Sequence, residues 1–216
     1  MKSWYDIYLN EIKLKKNAKN YIEDKIRHKK VFISMLKKYG DKGAKKLIEA
    51  GCGTGIISSY IATKGYDVIG IDIDEKILKL ANSLAVDYFQ NNEKIQFERR
   101  SIFEMNYEEN SFDVSFSNGV LEHFSDDEIT QTIEQQLYVA KYVVIGIPTQ
   151  FFDKSEALYG NERFLPSDYW RYLITKSGGR ILEEHTFHYM TLLEKLKSLK
   201  KMKRPKPFTL FVVEKL

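Results

Sequence analysis

The stretch Glu49-Ala50-Gly51-Cys52-Gly53-Thr54-Gly55 constrains the fold more than any other part of this sequence. It separates a short apolar run, Lys46 to Ala50, from an amphipathic segment carrying Ile56, Ile57, Tyr60 and Ile61, so it reads as the turn between a strand and a helix. Glycines at alternate positions let the backbone turn sharply and approach a ligand closely. The helix that follows begins with unpaired N–H groups, and the carboxyl end of a central strand is where open α/β sheets place their binding crevice.

The spacing narrows the ligand. A dinucleotide fingerprint, G-x-G-x-x-G, needs its third glycine at position 56 or 58, and this chain has Ile56 and Ser58 there. The pattern is G-x-G-x-G. Asp72 closes the next apolar run, Asp67 to Asp72, 17 residues beyond Gly55. A carboxylate there can accept both hydrogen bonds of a ribose diol, which favours an adenosine with a free 2′-hydroxyl.

The rest of the chain repeats the alternation of strand and helix. A helix with Ile77, Leu80, Ala81, Leu84 and Tyr88 on one face follows Asp72, and further strands are expected at Ile95 to Glu98, Phe112 to Ser117 and Tyr142 to Ile147. Ser125, with Glu128 three residues on, signals a capping box ahead of Ile129, Ile133 and Leu137. A helix from about Ser167, a strand from Ile181 to Phe187 and a last β-prone run from Phe208 to Glu214 complete the series. Strands alternating with helices imply a three-layer sandwich around a mostly parallel sheet. Residues 1–44 read as helical, with Ile22, Ile26, Ile33 and Leu36 forming a buried stripe, and residues 149–166 as a long aromatic-rich loop.

Composition excludes other classes. The 216 residues suit one domain, and 43% hydrophobic with 30% charged residues is ordinary for a globular protein. The single cysteine, Cys52, cannot form an internal disulfide or furnish a cysteine metal set, and between motif glycines it reads as a small packing residue. His185-x-x-His188 does not suggest metal, because strand positions three apart face opposite sides. With neither a signal peptide nor a long apolar run, a cytoplasmic protein is expected. The formal charge of +4 is local: seven basic residues lie between Lys195 and Lys206, leaving 27 basic against 30 acidic residues elsewhere. Such a run reads first as a solvated face.

These motifs together resemble those of class I S-adenosylmethionine (SAM)-dependent methyltransferases of the small-molecule branch. E-A-G-C-G-T-G is similar to the family's first motif and V-I-G-I-D-I-D to its second, while Ser111-Phe112-Asp113-Val114 leading to Ser117-Asn118-Gly119-Val120-Leu121-Glu122-His123 is similar to its fourth-strand region. The resemblance covers roughly Leu47 to Pro148. It implies a Rossmann-like αβα sandwich whose sheet has seven strands, the last antiparallel, with residues 45–216 as the core and 1–44 as a helical lid. It also implies that Gly51, Gly53 and Gly55 border the methionine part of SAM, with Glu49 in the shell around its ammonium. Asp72 would hold the ribose, Ile73 would lie against the adenine, and Asn118 would offer its carbonyl to the ammonium. The family's usual aspartate after the third strand is replaced by Ser101, followed by Ile102, as the expected adenine-edge contacts.

A sulfonium methyl is transferred by in-line displacement, so the protein mainly aligns the nucleophile and excludes water. His123, after the fourth strand, is the candidate general base, against the plainer alternative of a structural histidine bonded to the cap region at Ser125 to Asp127. Tyr159 and Arg163 are the candidate acceptor-binding residues of the 149–166 loop, and Trp4, Tyr8, Phe152 and Phe164 could line the pocket or belong to the core. The chain lacks the N/D-P-P-Y/F tetrapeptide of amino-methylating enzymes, which favours a small-molecule acceptor methylated on O or N, giving S-adenosylhomocysteine (SAH) as coproduct. No metal is expected. The alternatives are an RNA or protein methyltransferase using the 195–206 segment and a SAM-binding protein without transfer activity.

Overall fold

The computed structural model describes residues 3–90, 92–187 and 207–216. Three helices open the chain: α1 (Trp4–Leu14), α2 (Ala18–His28) and α3 (Lys30–Gly40). Ser3 and Asp6 form a capping box at the start of α1, Asn17 caps α2, and Lys29 alone separates α2 from α3. There follow β1 (Lys46–Ala50), α4 (Ile56–Ala62), β2 (Asp67–Asp72), α5 (Glu75–Tyr88), β3 (Ile95–Arg99) and β4 (Phe112–Asn118). The series ends with α6 (Asp126–Val139), β5 (Ala140–Pro148), α7 (Ser167–Lys176), β6 (Gly179–Phe187) and β7 (Phe208–Lys215).

Among the described residues, seven strands make one sheet in the order β3-β2-β1-β4-β5-β7-β6. Strands β1 to β5 run parallel, and β7 inserts antiparallel between β5 and β6. The expected fold is therefore observed, including the reversed last strand. Its connectivity reverses direction between β1 and β4, so a crevice opens beyond their carboxyl ends.

Alternation along the central strands explains the layers. Leu47, Val144, Leu210 and Val212 point to one side, where Phe32 and Leu36 of α3 and Ile61 of α4 cover them. Val143, Ile145, Phe211 and Val213 point to the other, under Ile133 and Leu137 of α6 and Trp170 and Leu173 of α7. The predicted Ser125–Glu128 capping box is present and fixes where α6 begins. Three helices replace the single N-terminal helical stretch expected from the pattern, because Asn17 and Lys29 interrupt it. The basic run Lys195 to Lys206 and His188 lie outside the described residues. His185 pairs with the Glu183 carboxylate at 2.9 Å.

Phe116 of β4 meets Phe32 of α3 edge-on, with ring centroids 6.0 Å apart, and both are fully buried. This contact joins the N-terminal helices to the sheet. Phe116→Ala is expected to cost about 3–5 kcal/mol of unfolding free energy, the scale of emptying a packed aromatic site; urea denaturation measures it.

Candidate active site

The chain leaves β1 through Gly51, Gly53 and Gly55, whose φ angles of +70°, +52° and +64° all lie in the left-handed region. A side chain at Gly55 would place its Cβ 2.3 Å from the Phe97 ring, so both the angle and the space require glycine there. Two hydrogen bonds hold the loop to β2. The Cys52 N–H donates to the Ile71 carbonyl at 2.9 Å, and the Gly53 N–H donates to Asp72 Oδ2 at 3.1 Å. The other carboxylate oxygen of Asp72 accepts the Asp74 N–H at 3.0 Å. Burial pushes the Asp72 carboxyl above its ordinary pKa, partly opposed by these N–H donors.

Beyond this loop lies a cavity of about 700 Å³, within the range that encloses small-molecule ligands. One end is walled by Gly51, Cys52, Asp72, Ile73, Ser101 and Ile102. The other is walled by aromatic rings, with Phe152 stacked on Phe164 at 5.1 Å and edge-on to Phe208 at 5.3 Å. Helix α1 closes over the loop, and the Tyr8 hydroxyl sits 2.6 Å from where a Gly53 Cβ would be. Trp4 stacks on Tyr159 at 4.8 Å, so the N-terminal helix and the 149–166 loop meet above the cavity.

The structure brings most of the expected residues to this one place. Glu49 is 4% exposed and accepts the Ser58 hydroxyl; burial pushes its carboxyl up to about 8. Ser101 spends its hydroxyl oxygen on the Phe103 N–H, at 3.2 Å, which shapes the turn after β3. The Asn118 side-chain oxygen accepts the Lys29 ammonium at 2.9 Å. His123 lies on the cavity wall, but its partner is Asn161, 2.7 Å from Nδ1, rather than the helix cap, and Trp4 packs edge-on against its ring.

The two residues expected to bind the acceptor have different surroundings. Arg163 donates to the Phe124 carbonyl at 2.7 Å and to Asp126 Oδ1 at 2.6 Å, while its own N–H donates to the Glu122 carbonyl. Its guanidinium thus anchors the loop to α6, away from the cavity wall. Tyr159 packs on Trp4, and its N–H, with those of Leu158 and Gly160, is gathered by the Glu162 carboxylate. Phe152, Ala157, Leu158, Glu162 and Phe164 are the parts of this loop that reach the cavity.

Two cavity residues escaped sequence reasoning. Lys29 reads as one lysine among many on a polar helix face, and only the break between α2 and α3 turns it inward. Glu122 stands in the motif beside His123, and its position between Leu121 and His123 gave no sign of burial. It is 4% exposed, and its Oε2 has no hydrogen-bond partner. Burial drives both toward their neutral forms, Glu122 up to about 8 and Lys29 down to about 7, each partly offset by the other's charge. Among the described residues no cluster of three or more His, Cys, Asp or Glu side chains could hold a metal ion. No described helix is long and apolar enough to cross a membrane.

A methyltransferase-domain family model matches residues 47–141. A Geobacillus sp. (strain WCH70) protein named only as a candidate methyltransferase is 32% identical over 95 residues, 41% of this chain and 34% of its own length. A ubiquinone biosynthesis O-methyltransferase from Aliivibrio fischeri (strain ATCC 700601 / ES114) is 36% identical over 84 residues, again 34% of its length. The chain therefore spans about a third of the length of these curated relatives. Magnesium protoporphyrin IX methyltransferase from Synechocystis PCC 6803, crystallised with SAM, superimposes with a TM-score of 0.67 over 91% of this chain and 81% of that one, at 15% identity. The matched segment is similar to a methyltransferase domain, and the chain shares its fold with the Synechocystis enzyme.

The buried Glu49 carboxyl makes stability depend on pH. Its folded pKa of about 8 exceeds the ordinary 4.5, so the folded state keeps a proton that the unfolded chain has released. The stability this confers is complete below pH 4.5 and is lost as pH rises toward 8. Glu49→Gln is expected to flatten that decline relative to the parent, as measured by denaturant unfolding across this range.

Proposed function

We propose that this protein is a SAM-dependent methyltransferase acting on an O or N atom of a small-molecule acceptor. The observation that carries the reading is the joining, in one cavity, of the glycine turn after β1 and Asp72 with aromatic rings and helix α1. The residues present fit the cofactor. Each Asp72 oxygen bonds one backbone N–H and retains a lone pair for a ribose hydroxyl. Ile73 is 63% exposed beside it, available to pack on the adenine, with Ser101 and the Ile102 N–H at the adenine edge. Gly51, with Glu49 and Asn118, lines the place for the methionine moiety, while Gly53 and Gly55 hold the turn behind it. The Phe152, Phe164 and Phe208 rings on the cavity wall suit a small organic acceptor better than a polymer.

When bound, SAM supplies an electrophilic methyl on a sulfonium sulfur. The chain aligns the acceptor so that its nucleophile bonds the methyl carbon as the carbon–sulfur bond breaks, the electron pair remaining on sulfur and SAH leaving. If the nucleophile carries a proton, His123 receives it. The Asn161 amide oxygen beside Nδ1 favours the proton on that nitrogen, which leaves Nε2 as the basic one. Residues 1–44 and 149–166 act as two lids whose meeting at Trp4 and Tyr159 keeps water from the reacting atoms. Within the second lid, Arg163 and Tyr159 serve the acceptor indirectly by fixing the loop.

Calorimetric titration with SAH, followed by assay of SAH release from SAM with a panel of phenols, amines and carboxylates, tests this reading. Absence of SAH binding would refute it. Asp72→Ala is expected to weaken SAH binding by about 1.5–3 kcal/mol, the scale of hydrogen bonds to a charged group; an unchanged titration rules out the ribose role. His123→Ala is expected to lower turnover at least ~tenfold with SAH affinity intact. Turnover equal to the parent's would make the histidine purely structural.

A further inference from the structure

Glu122 has no part in the reading above, yet it is an unusual group to bury. Its carboxylate lies on the cavity wall, 4% exposed, and Oε2 lacks any hydrogen-bond partner. A buried unsatisfied carboxylate is destabilising, and in a folded protein it is explained most simply by a ligand that completes it. The backbone around it is fixed independently of the carboxylate. The short 3-10 turn Leu121–His123 holds it, and the Arg163 N–H pins its carbonyl at 2.7 Å. The side chain is therefore held ready rather than left over from poor packing.

We propose that Glu122 is the anchor of the acceptor subsite and that it accepts a hydrogen bond from a neutral hydroxyl on an aromatic acceptor. Three observations fix this chemistry. Burial disfavours the charge on Glu122, and the nearby Lys29 and a hydrogen bond donated by a ligand would both favour the ionised carboxylate, in which the unpaired oxygen accepts. Lys29 lies on the same cavity wall, its Nζ 2.9 Å from Asn118 Oδ1 and 6.0 Å from the Phe208 ring centroid, and its ammonium is favoured when Glu122 is ionised, so a ligand cation is disfavoured there and a neutral donor preferred. The adjoining wall is made of the Phe152, Phe164 and Phe208 rings, which favour a flat apolar body behind that donor. The anchor names the acceptor class of the function proposed above and rests on that reading.

The test is equilibrium binding to the SAH-saturated full-length protein, using phenol, anisole, benzylamine and benzoate as probes. Phenol is expected to bind at least ~tenfold more tightly than anisole, which has the same ring but no donor. Benzylamine and benzoate are expected to bind more weakly than phenol. In Glu122→Gln the phenol preference should fall below ~threefold, because the charge-assisted acceptor is gone while shape is kept. Equal binding of phenol and anisole, or no binding by any probe, would overturn the assignment. So would a preference for benzylamine, which would make this a cation site, or for benzoate, which would give recognition to Lys29. Titration with SAH alone separates the two levels of the argument. Failure of the parent to bind SAH defeats the methyltransferase reading, whereas normal SAH binding without phenol preference defeats only the anchor. Loss of SAH affinity in Glu122→Gln would instead assign Glu122 to the cofactor, and so also overturn it.

Discussion

The hydrogen bond from the Gly53 N–H to the Asp72 carboxylate ties together the two strand ends on which the site is built. It spans 19 residues of sequence and joins the turn after β1 to the end of β2. Asp74, which caps α5, is drawn to the same carboxylate through its N–H, so one side chain sets the geometry of the glycine loop and the start of the following helix. The left-handed angles at Gly51, Gly53 and Gly55 make such a close approach sterically accessible. The cost is a desolvated carboxylate, and the backbone donors that surround it are what keep the charged form attainable.

Around this fixed platform the remaining walls are supplied by segments far apart in the chain. Helix α1 contributes Trp4 and Tyr8, the junction of α2 and α3 contributes Lys29, and the 149–166 loop is folded on the Glu162 carboxylate and strapped to α6 by Arg163. Helix α1 and the 149–166 loop touch each other through the stacking of Trp4 on Tyr159. Contacts of that kind can open without disturbing the core, which suits the proposed transfer between two reactants with water excluded.

The polarity of the cavity is uneven in an informative way. Glu49, Glu122 and Lys29 are all displaced toward neutrality by burial, and all three line the cavity. Perturbed titratable groups gathered in a cleft mark functional sites more often than structural ones. Glu49 has a local explanation in Ser58, and Lys29 has Asn118, but the free oxygen of Glu122 is answered by nothing on its own chain among the described residues.

The sequence by itself determined the sheet, the glycine turn after β1 and the carboxylate that closes β2. Those features rest on local rules: alternation of apolar residues, glycine at positive φ, a carboxylate closing a strand, and the Ser125–Glu128 cap that starts α6. Each is written within a few residues, so a linear reading reaches it. Only the tertiary structure decided the remaining partners on the cavity wall. Lys29 meets Asn118 across 89 positions, and His123 meets Asn161 rather than the neighbouring cap. Arg163 turned out to brace the loop, because Asp126 and the Phe124 carbonyl lie within its reach. Whether a charged side chain is solvated or buried depends on which distant element packs over it, and no periodicity records that. Glu122 is the clearest case: a motif residue in plain view whose burial, and hence whose chemistry, exists only once α2, α3 and the long loop have closed around it.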